Sequence, residues 1–317
     1  MKGMVNLMLG KWIPKYGRAA LLVLSSAQLG FNQPGFAEPQ DSSDLLNRVV
    51  IIGASLSAGA GHMHELGAHA SLGPFVQAIF TPEAFGPEAS PPLDRGHYLS
   101  FVKPTLFGNL QVQAAMKHEA SLAIGLDFLF WYAHGFHSDK ERMRRLEIGL
   151  AEIDKLPCPI LIGDLPDIQF ALEGKSRLTG GPLVRRSMIP STAVLAALNQ
   201  RIHAWAAKRP RVTLAPLGKF VAQVQAGQSI ELNEASLASK DFAELIQSDR
   251  LHPTVDGTLT LLAIAVDALV AARPELDAED VLWDLDRTRQ ILNQRMEFRR
   301  AASDARRKRI RRLRGEN

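Results

Sequence analysis

The feature that most restricts the fold of this 317-residue chain is a series of short apolar runs separated by helical patterns. Arg48-Val-Val-Ile-Ile52 is β-branched and stops at Gly53. It lacks the apolar/polar alternation of a strand with one wet face, so it reads as a buried parallel strand. Residues 97–102, 120–125, 159–163 and 211–215 are further strand candidates, the first of them the weakest. Helical spacing recurs between them. Ser138 and Glu141 have capping-box spacing, and Met143, Leu146, Leu150 and Ile153 then repeat every three or four residues. Val194, Leu198, Ile202 and Trp205 form a second stripe, and residues 258–272 a third, more apolar helix. Five short strands separated by helices predict one doubly wound α/β domain with a parallel sheet. The length suffices to bury a full core.

This body spans residues 38–285, with a Pro-rich insertion at about 80–93 that reads as a lid or a surface loop. Two flanking segments differ in kind. Residues 1–37 carry Lys2, Lys11, Lys15 and Arg18 with no acid, then the apolar Ala19-Ala-Leu-Leu-Val-Leu24, and end in Gly35-Phe-Ala37. That is the grammar of a signal peptide cut after Ala37, and it predicts a secreted or periplasmic protein. Residues 286–317 form a basic, helix-prone tail with twelve Lys/Arg against three acids from Arg287 onward. The formal charge of +4 therefore lies in the signal and the tail, and the body between them is net acidic. Such a distribution argues against a nucleic-acid-binding core and leaves an anionic membrane surface as a partner for the tail. The single cysteine, Cys158, excludes an internal disulfide and reads as a small buried residue.

Two stretches carry chemistry. Ile52-Gly-Ala-Ser-Leu-Ser-Ala-Gly59 follows the first strand directly. A strand ending in Gly-x-Ser puts Ser55 at the carboxyl edge of the sheet, where α/β folds bind ligands. A serine hydroxyl needs a base to take its proton. Ser248-Asp-Arg-Leu-His-Pro-Thr254, nearly two hundred residues later, offers one. Asp249 and His252, three apart on one turn, can share a hydrogen bond that fixes the imidazole tautomer and leaves the other ring nitrogen for the serine.

The first stretch resembles the Gly-Asp-Ser-Leu block of the SGNH/GDSL hydrolases, and Asp249-Arg-Leu-His252-Pro is similar to their closing Asp-x-x-His-Pro block. The resemblance covers about 48–269. It implies a flavodoxin-like three-layer α/β/α sandwich with a five-stranded parallel sheet. It also implies cleavage of acyl esters without cofactor or metal, with Ser55 as nucleophile, His252 as base and Asp249 as its orienting partner. The oxyanion hole implied by the resemblance takes the Ser55 amide, a glycine after the second strand and an asparagine after the third. Gly108, beside Asn109, is the candidate glycine. At the asparagine position stands Asp127, and Ala54 replaces the family's Asp in the first block. An ionised Asp cannot donate to an oxyanion, and losing one such donor costs about 3–4 kcal/mol. Either Asp127 is held protonated and donates, or another residue such as Asn109 donates, or the protein is slow on ordinary esters. If Asp127 is not a protonated donor, Asp127→Asn is expected to keep or raise activity.

Other residues read as background. His62, His64 and His69 cluster after the serine turn, yet no Asp, Glu or Cys spacing completes a metal site. His134 and His137 read as pocket-lining or solvent-facing, and Leu165-Pro-Asp167 as an architectural turn. Gly59-Ala-Gly61 lacks the rest of a dinucleotide loop. Two alternatives to an ester hydrolase remain: a catalytically impaired SGNH-like envelope or binding protein, and a nucleotide-binding protein with an accidental triad.

Overall fold

The computed structural model describes residues 40–177, 179–232, 236–237 and 240–313, with side chains as far as 305. The expected signal peptide and the last residues of the basic tail lie outside the described residues. Five parallel strands form the central sheet: β1 (Val49–Ile51), β2 (Leu93–Asp94), β3 (Leu122–Gly125), β4 (Ile160–Gly163) and β5 (Val212–Ala215). Their spatial order is β2-β1-β3-β4-β5, the flavodoxin-like order with its topological switch between β1 and β3. Val49 pairs with Leu122, Ile124 with Leu161, and Ile162 with Leu214.

The helices of this frame are α1 (Leu72–Ile79), α2 (Pro104–Lys117), α3 (Asp139–Ile153), α4 (Thr192–Ala206), α5 (Leu217–Gln225), α6 (Val255–Ala272) and α7 (Leu285–Leu313). Because side chains alternate across a strand, each strand feeds two cores. Val49, Ile51, Leu122 and Ile124 face the layer made by α1, α6 and α7. Val50, Ile52, Ala123, Ile160 and Ile162 face the layer made by α2, α3 and α4. β1, β3 and β4 are buried on both faces, which is why their sequence runs are apolar throughout. Helix α6 is apolar and long enough to cross a membrane, but it is mostly buried and serves as a core helix.

Local signals work largely as the sequence implies. Ser138 caps α3 by accepting from the Glu141 amide at 3.4 Å, while the Glu141 carboxylate turns outward to Arg144 instead of closing the capping box. Leu146, Leu150 and Ile153 are buried, as are Leu198, Ile202 and Trp205. Thr254 caps α6 through the Gly257 amide at 3.1 Å, so that helix begins three residues earlier than its apolar stripe. Cys158 is buried, and burial pushes its thiol up to about 11. Helix α7 buries Thr288, Leu292 and Met296 at four-residue spacing.

The second strand is not where the apolar residues suggest. Residues 97–102 hold a 3-10 turn (Tyr98–Phe101) whose Leu99, Phe101 and Val102 are exposed. The strand is the two-residue edge segment before it, which continues by Arg95 N–H to Ile51 O (2.8 Å) and His97 N–H to Gly53 O (3.0 Å). An edge strand that short needs no apolar run. Because β2 is parallel to β1, residues 80–92 lie at the amino end of the sheet, where the Ser90 amide reaches Asn47 O. They do not cover the carboxyl edge.

His62 and His134 are buried, and burial lowers each to a pKa of about 4. In the unfolded chain a histidine takes up its proton near pH 6.5. Between those values the unfolded state binds more protons, so each histidine withdraws stability as pH falls. His134→Phe keeps an aromatic ring on Phe130 and removes the titration. From pH 7 to pH 4 the variant should gain on the order of 3 kcal/mol relative to the native chain. Thermal melts of the two proteins measure this, and a difference that does not move with pH contradicts it.

Candidate active site

The switch point between β1 and β3 leaves a crevice at the carboxyl edge of the sheet. Ser55 enters it from the end of β1, Asp127 from the end of β3, and His252 from the loop before α6; all three line one open cleft.

The chain leaves β1 through Gly53, whose φ of +141° is glycine territory. A Cβ there would stand 2.1 Å from Asp127 Oδ1 and 2.4 Å from Ser57 Oγ. Gln111, buried on α2, clamps Gly53 from behind by accepting from its amide (2.9 Å) and donating to its carbonyl (2.8 Å). The next residues coil into one turn, with Ala58 N–H to Ala54 O and Ala60 N–H to Ser55 O, both 2.9 Å.

Asp127 organises this turn. Its Oδ1 accepts from the Ala54 amide at 3.0 Å, and its Oδ2 from the amides of Leu56 at 2.8 Å and Ser57 at 3.4 Å. The Ser57 hydroxyl lies 2.6 Å from Oδ1 and 3.0 Å from the Ile52 carbonyl oxygen. Desolvation raises the Asp127 pKa, opposed by these donors. The placement corrects the oxyanion-hole expectation: both carboxylate oxygens are acceptors for the serine turn. The amides of residues 54, 56, 57, 58, 59 and 60 are all engaged, either by Asp127 or by the turn itself, whereas the Ser55 amide has no partner among the described residues. The two serines are likewise distinct. Ser57 is fully buried and hydrogen bonded, whereas Ser55 is half-buried on the cleft wall.

The second motif is a tight loop. Asp249 Oδ1 accepts from the amides of Leu251 (2.9 Å) and His252 (3.0 Å), and Oδ2 lies 2.8 Å from His252 Nδ1. Burial alone would raise the Asp249 carboxyl, but the His252 contact and these amides hold it below the usual carboxylate range. Arg250, between them, adopts a φ of +52°. The loop is braced by Lys175 N–H to Ser248 O at 2.8 Å and by Gly174, where a Cβ would stand 1.9 Å from Asp249 O. Nδ1 being committed to Asp249, Nε2 is the nitrogen left for chemistry.

Three side chains tie this loop to the serine turn. Gln247 donates to both Ala60 O (2.8 Å) and Pro253 O (2.7 Å). Glu65 accepts from the Val255 amide at 3.0 Å, and His62 bonds Thr258 Oγ1 at 2.9 Å and Ala70 O at 3.0 Å. His62 is therefore a structural bridge with both ring nitrogens used. Among the described residues Ser55 Oγ makes no hydrogen bond, to His252 or otherwise, in this conformation.

Two further expectations are corrected. Gly108 lies inside α2, where its amide belongs to the helical ladder. It is there because a Cβ would meet the Tyr132 hydroxyl at 2.2 Å. Asn109 is spent on Glu152 of the neighbouring α3, to which its amide donates at 3.1 Å. The glycine that follows the second strand is Gly96, packed on the Ser57–Ala58 peptide, where a Cβ would stand 2.6 Å from Ser57 C. Moving the strand back by a few residues moves the glycine with it; the signal was Pro91-Pro92 before the strand and a glycine just after. His134 is buried, stacked on Phe130 at 4.1 Å, and neither it nor His137 lines the cleft. Pro166 does line it, and Asp167 closes the turn by accepting from the Gln169 amide at 3.0 Å. No group of histidine, cysteine or acidic side chains among the described residues could hold a metal ion.

In sequence, the chain matches no family model and no curated protein. In structure it is similar to TesA, with 13% identity, a TM-score of 0.44, and coverage of 71% of this chain and 99% of that one. It is also similar to a GDSL-like lipase from Bacteroides thetaiotaomicron (13% identity, TM-score 0.40, 74% of this chain and 93% of that one). A carbohydrate esterase family 3 protein from Talaromyces cellulolyticus is a third (11% identity, TM-score 0.41, 73% and 99%). These are likenesses of architecture.

Asparagine at 127 would offer one acceptor and one NH2 where two acceptors are needed, so one turn amide would face a donor. Contrary to the sequence-based expectation, Asp127→Asn should lower thermal stability by about 1–3 kcal/mol and slow covalent labelling of Ser55 by a serine-directed fluorophosphonate at least tenfold. Labelling as fast as in the native chain contradicts this role.

Proposed function

We propose that the chain is a serine ester hydrolase acting through an acyl-serine intermediate. The observation that carries this reading is the His252–Asp249 pair on the same cleft as Ser55, with the carboxylate on Nδ1 and Nε2 left over. In the first step His252 Nε2 takes the Ser55 hydroxyl proton as Oγ attacks the ester carbonyl carbon. The C–O bond to the alcohol breaks, and the proton passes from His252 to the departing alkoxide. In the second step His252 takes a proton from water as the hydroxide attacks the acyl carbon; the bond to Ser55 Oγ breaks, His252 returns its proton to Oγ, and the carboxylic acid leaves. Asp249 remains ionised and stabilises the imidazolium in each half. The Ser55 amide, which the turn leaves unused, supplies an oxyanion donor. Gly96, next to the turn, takes the place that the family resemblance gave to Gly108. A catalytic hydrogen bond that is open in the free protein can close in the substrate complex.

The second reading is a silent binding protein that uses the cleft without chemistry. The open Ser55–His252 pair favours it. Asp127 does not, since its carboxylate has a structural task. Hydrolysis of nitrophenyl esters decides between them. The native chain should turn them over, and Ser55→Ala or His252→Ala should lower kcat by about four decades. A drop of less than tenfold in either variant removes the triad assignment, and an inactive native chain supports the silent reading.

A further inference from the structure

The cleft is two-ended. Its polar side chains are Ser55, Asp127, Asp164 and His252, and the rest of its walls are apolar or aromatic. Asp164 fixes where the polar end lies. It follows β4 at the sheet edge and accepts from the Gly218 amide at 2.7 Å, so it holds the amino end of α5 there. From that point α5 leads away, presenting Leu217, Phe220, Val221 and Val224 to the cleft at helical spacing. Facing walls come from Leu261, one turn beyond Gly257 on α6, and from Phe242, which meets Phe170 edge to face at 4.9 Å. From Leu217 to Val224 the wall runs roughly 10 Å, the extended reach of about eight carbons.

We infer that this arm seats the hydrocarbon chain of a medium-length acyl group, of octanoyl or decanoyl size, whose carbonyl carbon is presented to Ser55. The inference rests on the hydrolase reading for its chemistry and on the cleft alone for its binding. A group esterified to Ser55 must leave the nucleophile along one of the cleft's directions. Among the described residues, the side chains that line the arm are apolar or aromatic, and burying the unpaired hydroxyls of a sugar against them is unfavourable. Each methylene removed from water there is favourable. Half-buried Val221 and Phe242 both line the arm, so a change of size at either alters the room in it.

Two measurements test this separately from the reaction. With purified protein and nitrophenyl esters from acetyl to dodecanoyl, kcat/KM should rise roughly fourfold per methylene until the arm is full. Octanoyl, six methylenes longer than acetyl, then exceeds it by about three decades. Val221→Trp should lower the octanoyl-to-acetyl ratio at least tenfold, and Phe242→Ala should move the optimum to longer chains, with thermal melts confirming that both fold. In Ser55→Ala protein, which cannot acylate, titration calorimetry should detect decanoate and not acetate. A flat or acetyl-favouring series in a protein whose Ser55 still labels overturns the acyl arm and leaves the hydrolase reading intact. Decanoate binding to Ser55→Ala, alongside a native chain that neither labels nor hydrolyses, upholds the arm and overturns the hydrolase reading.

Discussion

One carboxylate sets the geometry on which the rest of the cleft depends. Asp127 stands at the end of β3 and collects the amides of Ala54, Leu56 and Ser57 from the end of β1. A turn that coils so tightly after a strand would otherwise direct several backbone donors at a dry edge, and unpaired buried donors are costly. Gathering them on a single acidic side chain leaves the Ser55 amide outside the set and turns the Ser55 side chain to the cleft. The same contact excludes any side chain at Gly53, whose Cβ would stand 2.1 Å from the carboxylate. Turn, glycine and acid therefore form one unit.

The loop that carries His252 reaches this unit through a second set of contacts. Residues 60–65 and 247–258 are far apart in sequence, yet Gln247, Glu65 and His62 each bridge them with a hydrogen bond. These ties fix the start of α6 and, with it, the loop that carries His252. Within the loop, Asp249 orients the ring by Nδ1 and simultaneously caps the backbone of Leu251 and His252. The left-handed Arg250 is held by this over-determined turn and by the 173–175 segment packed behind it. Preorganisation of this kind fixes the imidazole before any ligand arrives.

Much of this was legible in the sequence, because strands that are dry on both faces must be apolar throughout. β1, β3, β4 and β5 lie within the runs read from 48–52, 120–125, 159–163 and 211–215. β2 was misplaced because a two-residue edge strand has almost no hydrophobic signature, while the exposed Leu99, Phe101 and Val102 mimic one. That error carried the glycine assignment to Gly108, which is a packing glycine under Tyr132. The Asp249–His252 contact, and the place of Ser55 at the end of β1 on the same cleft, follow from spacings visible in the sequence. The task of Asp127 does not, because a residue type reveals its donor and acceptor capacity but not which partners the fold will bring to it. Gln111 and Gln247 were missed for the same reason: a glutamine amide becomes a clamp only when two distant backbone segments are already placed. The apolar arm likewise needs α5, α6 and the segment with Phe242 in position before its walls exist.

The central claim is that the fold sets Ser55, and not its neighbour Ser57, against His252. Peptide mapping by mass spectrometry after fluorophosphonate treatment reads this directly. The account predicts a single adduct on Ser55 that disappears in His252→Ala protein. An adduct on Ser57, or labelling of Ser55 that is unaffected by loss of the imidazole, would contradict it.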